Sequence, residues 1–423
     1  MNSNKQFIAI DLGSSSISAM AAEMQADGAL RILGLESKIS DDVKHGIVEQ
    51  RTGASSKVIE LKKLLQNSSK IQDISMVSVG LGAKSMKLMP FSVTRFILNP
   101  NYVTDTLLEE MTEECKRNFQ LSNLTVFDII PVSYYLDGVC MDEPAGQAGS
   151  QIKGNYNVVV GNPLVKENLG GFIDRTGLVL EFSPLAVEAL STVLLDDKER
   201  EDGCALINFG GTTTTLAVYS EGVLQQLLVV PLGAKNITKD IQELGISEAN
   251  AERLKCLKGN ALESLVEDPI YVQIPSTLEA QQPVKISTKF LATIIEARLD
   301  ETLQPIFDVI NKLPFELEAG IVITGGGSKL TNMVDYMNEK TNIYTRFGDH
   351  SDWLSDYTDE KYYDPCYAQL VGTVLLTDEY RKEHPIEETV NEPEKKPKLP
   401  KKKIGEKITQ RVFNFFNDDN KLN

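Results

Sequence analysis

The sequence predicts an α/β fold of two duplicated lobes, with a small α+β subdomain inserted between them and an amphipathic helix near the carboxyl end. Three observations lead to this prediction. A strand, a glycine turn and a return strand occur twice, nearly 200 residues apart. About 80 residues of different character separate the copies, and a basic, periodically apolar segment follows an acidic one. A duplicated fold of this kind is expected to hold a ligand between its halves.

The first copy opens the chain. Residues 7–13 (FIAIDLG) form an apolar run that ends in a glycine turn, and residues 14–23 return as a second strand with small side chains. A third strand, a helix and a further strand are predicted at 31–35, 56–65 and 74–81. This order predicts a mixed α/β sheet.

The second copy repeats the pattern. Residues 203–211 read as a strand and a glycine turn, residues 212–219 as the return strand and residues 223–230 as a third strand. Residues 321–327 end a later strand in three glycines, and a helix is predicted to follow over 328–338. The long interval between the copies indicates a duplicated fold and excludes a short-period repeat.

The stretch between the copies predicts the inserted α+β subdomain. Its strands are expected at 89–98, 126–136 and 155–161, with a helix at 104–118 and a break in the second strand at Pro131.

After residue 376 the composition becomes acidic and contains several prolines, which predicts a disordered tether. The domain boundaries that follow are 1–83, 162–202 and 364–380 for the first lobe, 84–161 for the inserted subdomain, 203–363 for the second lobe with a subdivision at about 235–318, 381–402 for the tether and 403–418 for the terminal helix.

The charge of the chain is unevenly distributed. Its 423 residues carry a net charge of −17, yet residues 395–411 hold seven Lys, one Arg and one Glu. The rest of the chain is therefore strongly acidic, which argues against binding to nucleic acid. Any contact with an anionic membrane is expected to come from the basic tail.

Several other classes of site are not expected. The five cysteines are dispersed without a CxxC pair and the three histidines form no cluster, which argues against a zinc site or a histidine-based triad. Dispersed cysteines favour reduced thiols in a cytosolic protein. No run of 18 apolar residues and no signal peptide is visible.

The first glycine turn places Asp11 at a strand end, followed by Gly13, Ser14, Ser15 and Ser16. Glycine lets the backbone approach an anion, and turn amides and hydroxyls can donate to phosphate oxygens. Asp11 could hold Mg²⁺ through water beside those phosphates. The same pattern also fits an ordinary hairpin.

Two further turns have a similar character, although none of the three is a Walker A or GxGxxG motif. The second could hold phosphate from the opposite side, or be a tight hairpin of strand-favouring threonines. The third could let a planar ring or a phosphate approach, or be a flexible loop. Their residues are Asn208, Gly210, Gly211, Thr212 and Thr213 in the second turn, and Gly325, Gly326, Gly327 and Ser328 in the third.

In this order the three turns resemble the first phosphate, second phosphate and adenosine motifs of the actin-like ATPases. Residues 183–190 and 365–372 resemble the two helices that connect the halves in that superfamily. Their small residues Ala186, Ala189 and Gly372 would let the helices cross closely as a hinge.

Within the superfamily the chain resembles the FtsA family of bacterial cell-division proteins over nearly its whole length. The inserted subdomain lies where that family has its characteristic extra domain, and the terminal helix resembles its membrane anchor. Similar stretches are found at 44–48, 129–134, 233–241 and 251–255.

This resemblance implies that the chain binds ATP and Mg²⁺ through the three turns. It also places Gly233 and Asn236, then Glu252 and Lys255, near the ribose and purine. The residues alone favour a solvated i,i+3 ion pair on a helix for Glu252 and Lys255, and only the resemblance favours a place near the nucleotide.

Departures from the superfamily pattern weaken the expected hydrolysis. Asn208 stands where Asp is usual, Thr212 replaces a glycine, and Thr215 stands where a second acid is common. Losing a carboxylate weakens Mg²⁺ retention and the activation of water. We therefore expect ATP binding with slow or negligible hydrolysis, and no catalytic base is assigned.

The tail reads as a basic amphipathic helix, at 100° per residue. Its apolar residues fall within about 120° of one another and are Ile404, Ile408, Val412, Phe415 and Phe416. Its flanking basic residues are Lys403, Lys407 and Arg411. The pattern favours an anionic membrane surface, with docking on the chain's own body or in a partner's groove as alternatives. One such helix binds weakly, and several on one polymer gain by avidity.

The resemblance implies a cytoskeletal adaptor that polymerises and tethers the FtsZ division ring to the cytoplasmic side of the inner membrane at the division site. Later division proteins would bind the inserted subdomain. The FtsZ C-terminal peptide would contact a helix through Glu296, Arg298 and Glu301, unless these simply form an exposed helix face. The alternatives are a type IV pilus assembly scaffold and a sugar or acid kinase of the same superfamily.

Overall fold

Strands and helices alternate along the chain. The computed structural model describes residues 6–384 except 72, 99–101, 121–122, 278–281 and 357. The strands are β1 (Gln6–Leu12), β2 (Ser16–Met24), β3 (Leu30–Ile39), β4 (Val43–Lys44), β5 (Ile47–Val48), β6 (Met76–Val79), β7 (Lys87–Phe96), β8 (Thr125–Leu136), β9 (Val139–Met141), β10 (Gln151–Gly161), β11 (Val179–Phe182), β12 (Cys204–Phe209), β13 (Thr214–Ser220), β14 (Val223–Val230), β15 (Tyr271–Ile274), β16 (Val284–Ser287), β17 (Gly320–Thr324) and β18 (Thr345–Phe347). The helices are α1 (Arg51–Ser69), α2 (Asp105–Gln120), α3 (Leu164–Thr176), α4 (Ala186–Leu194), α5 (Asp197–Asp202), α6 (Ala234–Gln242), α7 (Glu248–Lys258), α8 (Thr288–Ile310), α9 (Met333–Thr341) and α10 (Ala368–Glu383).

Two five-stranded sheets share one topology. The first has the order β11-β6-β1-β2-β3 and the second the order β14-β13-β12-β17-β18. In each, the central strand pairs antiparallel with the strand that follows its glycine turn and parallel with a later strand. The predicted α/β fold of two duplicated lobes is confirmed, because a meander plus a parallel strand recurs in both halves.

The first sheet is covered by helices with matching apolar faces. Helix α1 is longer than the sequence predicts, and its buried side chains include Val58, Leu61 and Leu65. These positions repeat at helical spacing, so one face of α1 packs on the sheet while the other faces solvent.

Between the two sheets the chain forms a separate four-stranded sheet, of order β7-β10-β8-β9, with α2 packed on it. Strand β8 runs through Pro131 instead of breaking there. The register with β10 shifts between Asn155 and Tyr156, opposite the proline, which accommodates the missing N–H. Asn157 of β10 donates to the Leu224 carbonyl of β14 at 2.9 Å, which joins this sheet to the second lobe.

Helices α4 and α10 cross at small residues, as the sequence predicts. A Cβ at Gly372 would overlap the carbonyl oxygen of Ala189, so the crossing requires glycine at that point. Helix α10 continues to Glu383, beyond the predicted start of the tether. Near the end of this helix, Arg381 pairs with the buried carboxylate of Glu181 at 2.5 Å.

The rest of the predicted tether and the predicted terminal helix, residues 385–423, lie outside the described residues. Within the part of the chain that is described, no helix is long and apolar enough to cross a membrane.

Candidate functional site

A cleft between the two lobes brings the three glycine turns together. The turns lie far apart in the chain, but each follows a central or neighbouring strand of a sheet and opens into the same space. The predicted residues that line the cleft are Asp11, Gly13, Ser14, Ser15, Ser16, Asn208, Gly210, Gly211, Thr213, Gly325 and Gly326. Residues from α4 and α10 complete the lining.

The first and second turns touch across the cleft. The amide of Thr212 donates to the hydroxyl oxygen of Ser14 at 3.0 Å. A side chain at Gly211 would overlap the hydroxyl of Ser15, so glycine permits this close approach. Amides and hydroxyls able to bind an anion therefore face one another from both lobes.

Among the described residues that line the cleft, Asp11 is the only aspartate or glutamate. Burial raises the pKa of its carboxyl to about 7, although a hydrogen bond from Gln369 opposes the rise. The amide nitrogen of Gln369, on α10, lies 2.8 Å from the Asp11 carboxylate. The sequence analysis did not assign Gln369 to the site. The available signal was that Gln369 is a polar residue within the mainly apolar segment 365–372.

A protein-only magnesium site is absent from the described residues, since they contain no group of three or more His, Cys, Asp and Glu able to hold a metal. Mg²⁺ commonly binds proteins through one or two carboxylates, with phosphate oxygens and water as its other ligands. Asp11 beside two glycine turns fits that arrangement.

Asn208 is the next-to-last residue of β12 and lies in register with Thr215 on one side and Thr324 on the other. It lines the cleft, and its amide oxygen lies so close to Gly325 that a Cβ there would overlap it. Gly325 has a φ of 88°, which also favours glycine. Asn208 can accept and donate hydrogen bonds here, but it brings no charge.

The amino end of α6 supports the second turn from behind. The amides of Ala234 and Lys235 donate to the carbonyls of Gly210 and Gly211 at 2.9 and 2.8 Å. A Cβ at Gly233 would collide with the same turn.

The side chain of Asn236 accepts from the Gly233 amide at 3.1 Å. Gly233 and Asn236 therefore shape the turn and are not among the residues that line the cleft.

Glu252 and Lys255 form a network on α7 outside the cleft lining. The buried Lys255 ammonium lies 2.7 Å from Glu252, 2.9 Å from the Thr238 hydroxyl and 3.1 Å from the Ala234 carbonyl. Burial raises the pKa of Glu252, but the charge and hydrogen bonds of Lys255 and Thr238 outweigh it and leave the pKa below its usual value. A role near the purine stays a prediction for both.

The third turn begins at Gly325 and continues as a short 3₁₀ helix over Gly326–Lys329. The hydroxyl of Ser328 donates to the Gly325 carbonyl at 2.7 Å. Gly327 and Ser328 are buried, whereas Gly326 lines the cleft.

The helix predicted over 328–338 starts later, as α9 at Met333. Asn332 just before it takes a left-handed conformation, with a φ of 61°, which ends the preceding turn.

A segment that the sequence analysis did not assign to the site reaches across the cleft. We call the loop 40–50 the strap; it contains β4 and β5 and belongs to the first lobe. Its His45 amide donates to the Thr212 hydroxyl at 3.0 Å, and the His45 ring lies 3.0 Å from the Thr212 carbonyl. Asp41 in the strap forms an ion pair with Lys235 of the second lobe. No local pattern signals these long-range contacts.

The predicted partner residues lie on α8. Arg298 forms a two-pronged ion pair with Asp240 and also contacts Glu301 at 2.6 Å. Glu296 accepts from the Glu263 amide at 2.8 Å. Glu301 is the most exposed of the three, at 62%.

The predicted membrane-binding residues lie outside the described residues. They are Lys403, Ile404, Lys407, Ile408, Arg411, Val412, Phe415 and Phe416.

Comparisons with known proteins agree with this geometry. The family model described as "Cell division protein FtsA" matches residues 205–372. The cell division protein FtsA of Borreliella burgdorferi is 26% identical over 411 residues, covering 95% of this chain and 98% of that protein. That match includes both sheets and the subdomain between them.

Solved structures show the same fold. The PilM–PilN type IV pilus biogenesis complex matches with a TM-score of 0.65 and 14% identity, over 88% of this chain and 98% of that chain. MreB5 of Spiroplasma citri, solved with ADP, matches with a TM-score of 0.56 and 14% identity, over 90% and 98%. At these identities the likeness shows the actin-like fold alone.

Proposed function

This chain belongs to the FtsA family of actin-like cell-division proteins, and we propose that it acts as a cytoskeletal adaptor. It binds ATP with Mg²⁺, polymerises, and tethers the FtsZ division ring to the cytoplasmic face of the inner membrane. Later division proteins join through the inserted subdomain. The observation that supports the nucleotide part most strongly is the convergence of three glycine turns on one cleft.

The cleft suits a triphosphate better than a neutral ligand. Amides and hydroxyls of the first two turns face each other, and Asp11 is the nearby carboxylate. Gly325 and Gly326 offer a surface without side chains for a planar ring. MreB5 of Spiroplasma citri, which shares this fold, was solved with ADP, and an adenine nucleotide is therefore the ligand that we propose.

Hydrolysis is expected to be slow. Bound Mg²⁺ would neutralise phosphate charge beside Asp11, but Asn208 offers no second carboxylate to retain the ion or to activate water. The chain's own groups therefore bind and orient the phosphates, and no catalytic base is assigned. The same absence of a second acid disfavours the kinase alternative.

Membrane attachment rests on the tail sequence. Five apolar residues, half buried in an interface, would yield on the order of 4–7 kcal/mol, and ordering the segment offsets much of it. One tail thus binds weakly, and a polymer that presents many tails binds by avidity. Self-assembly and membrane binding support each other in this proposal.

The membrane part is tested by co-sedimentation with anionic liposomes. The full chain should pellet, more so with ATP and Mg²⁺, and a chain ending at Pro400 should stay in the supernatant. Phe415→Glu in the full chain should behave like the truncation, and Asp419→Asn serves as the control. Equal pelleting of the full and truncated chains would contradict membrane attachment through the tail. It would also remove the property that distinguishes the proposed function from that of a pilus assembly scaffold.

The FtsZ contact is tested on α8. Glu301→Lys should weaken binding of an FtsZ C-terminal peptide several-fold without loss of stability, because Glu301 is exposed. The matched control is Asp197→Lys on α5, since each carboxylate pairs with an arginine three positions away on its helix. If both variants bind the peptide as wild type does, the contact lies elsewhere.

A further inference from the structure

A groove that shares no residue with the cleft opens beside the last described helix. It lies between the end of β2 with the turn that follows, α4, a turn near residue 353, and α10. Met24, Trp353 and Leu375 supply apolar surface, and Asp378 and Glu379 of α10 supply carboxylates. Its volume of about 450 Å³ lies within the range of about 300–1,000 Å³ typical of ligand pockets.

Trp353 is the single tryptophan of the chain and is 37% exposed in this groove. Tryptophan is enriched at binding surfaces, because burial of its large ring contributes strongly to binding. An exposed Trp353 beside Leu375 therefore marks a surface suited to an apolar or aromatic side chain.

The carboxylates of the groove favour a basic occupant. Lys382 pairs with Asp378 at 2.6 Å, whereas Glu379 has no ion-pair partner among the described residues. Partial burial raises the pKa of Glu379. The neighbouring carboxylates of Glu383 and Asp378 also raise this pKa, whereas the Lys382 ammonium lowers it. An incoming cation would relieve this repulsion.

A segment of matching chemistry lies a short distance along the same chain. Residues 403–416 combine lysines and an arginine with a stripe of apolar residues that includes two phenylalanines. The described chain ends at residue 384, two positions beyond Lys382 of the groove. The intervening residues 385–402 would span about 23 Å as a coil, which gives an effective concentration on the order of millimolar.

We propose that the segment 403–416 docks in this groove, with its apolar residues on Trp353 and Leu375 and its basic residues against Asp378 and Glu379. Lipid and groove then compete for one segment, so a single molecule holds its membrane-binding face covered. An anionic surface with many binding opportunities draws the segment out. This competition rests on the proposed membrane attachment, although docking itself does not.

The single tryptophan reports the docking directly. In the full chain, Trp353 emission should lie at shorter wavelength and be quenched less by acrylamide than in a chain ending at Pro400. Vesicles of phosphatidylglycerol and phosphatidylcholine should move the full chain to the values of the truncated chain. Vesicles of phosphatidylcholine alone should leave it unchanged.

Charge reversal in the groove provides the second measurement. Glu379→Lys should remove the difference in Trp353 quenching between the full and truncated chains and should raise anionic vesicle binding several-fold. Glu339→Lys on α9 makes the same charge change at an exposed position of another helix and should leave both readouts as in wild type.

Two outcomes would overturn docking within one chain, and a third would separate docking from membrane attachment. Identical Trp353 emission and quenching in the full and truncated chains would do so, even if the tail binds vesicles. A difference that grows with protein concentration would assign the groove to the tail of a second copy and contradict the contact within one chain. A tail that docks but never binds vesicles would support docking and contradict the proposed membrane attachment.

Discussion

The amide nitrogen of Thr212 lies 3.0 Å from the hydroxyl oxygen of Ser14. These residues are 198 positions apart, yet they bring the two turns proposed to bind phosphate into direct contact. A phosphate that enters between them must replace this hydrogen bond with its own oxygens. Closure of the lobes and occupation of the site are therefore expected to be linked.

The ion pair between Asp41 of the strap and Lys235 should slow nucleotide release. Asp41→Lys or Lys235→Asp is expected to raise the dissociation rate of a fluorescent ATP analogue about two- to fivefold, because a largely exposed pair contributes at most about 1 kcal/mol. Stopped-flow displacement by excess ATP measures this rate.

The double variant that exchanges the two charges is the control for that experiment. It should restore most of the wild-type rate at low salt, since the attraction is re-formed in reverse. If the exchanged pair releases nucleotide as fast as the single variants, the ion pair does not hold the strap closed.

Asn208→Asp should strengthen Mg²⁺ binding in the presence of ATP. The new carboxylate lies at the end of β12 in the cleft that contains Asp11, and Mg²⁺ prefers such oxygen ligands. An increase of about tenfold in apparent Mg²⁺ affinity is expected, in line with the effect of groups around a metal.

Phosphate release should rise with the Mg²⁺ affinity in this variant. Titration of Mg²⁺ at fixed ATP, read by phosphate release and by nucleotide fluorescence, measures both effects. Asn332→Asp, outside the cleft lining, is the control. Unchanged Mg²⁺ affinity in Asn208→Asp would mean that residue 208 does not face the ion.

The stability of the nucleotide-free chain should depend on Asp11 between about pH 4 and pH 7. Its pKa rises from the ordinary 3.8 to about 7 on folding because the carboxyl is buried. The folded chain then keeps a proton that the unfolded chain releases, so this group lowers stability as the pH rises through that window.

Asp11→Asn should remove that effect. Relative to wild type, the variant should gain about 1–2 kcal/mol more unfolding free energy at pH 8 than at pH 5, as solvent in the cleft screens part of the full shift. Urea unfolding at the two pH values measures the difference, with the exposed Asp27→Asn as control. An equal gain at both values would exclude a buried carboxyl with a raised pKa.

Gly372→Ala should destabilise the crossing of α4 and α10 by about 1–3 kcal/mol, as overpacking against backbone does. The added methyl would overlap the Ala189 carbonyl, which cannot move without shifting α4.

Gly170→Ala in α3 is the matched control for this prediction, because a Cβ there meets no atom within 4 Å. It should gain about 0.5–1 kcal/mol from helix propensity. Thermal unfolding compares the two, and similar stability of both variants would mean that the helices tolerate separation at this crossing.

The parts of the site with a local signature were predictable. Asp11, Asn208 and Gly325 follow apolar strands within a few residues of glycine, so the strand ends and turns are visible in the sequence. The actin-like fold and the order of its turns followed from that pattern and from the resemblance. The structure then placed all three residues on one cleft.

Contacts between distant residues were not predictable in the same way. Nothing near Gln369 in the sequence indicates that it hydrogen-bonds Asp11, and nothing near His45 points to Thr212. Lys255 is an ordinary lysine on a helix in the sequence, but the fold buries its ammonium beside Thr238.

The sequence by itself determined where strands end and where the backbone turns tightly, because glycine, serine and apolar periodicity act over a few neighbouring positions. Only the tertiary structure decided which polar groups face each other across the cleft and which ones face inward. Those pairings depend on packing between sheets and helices that are far apart in the chain, and a buried polar group must find its partner wherever that packing places one.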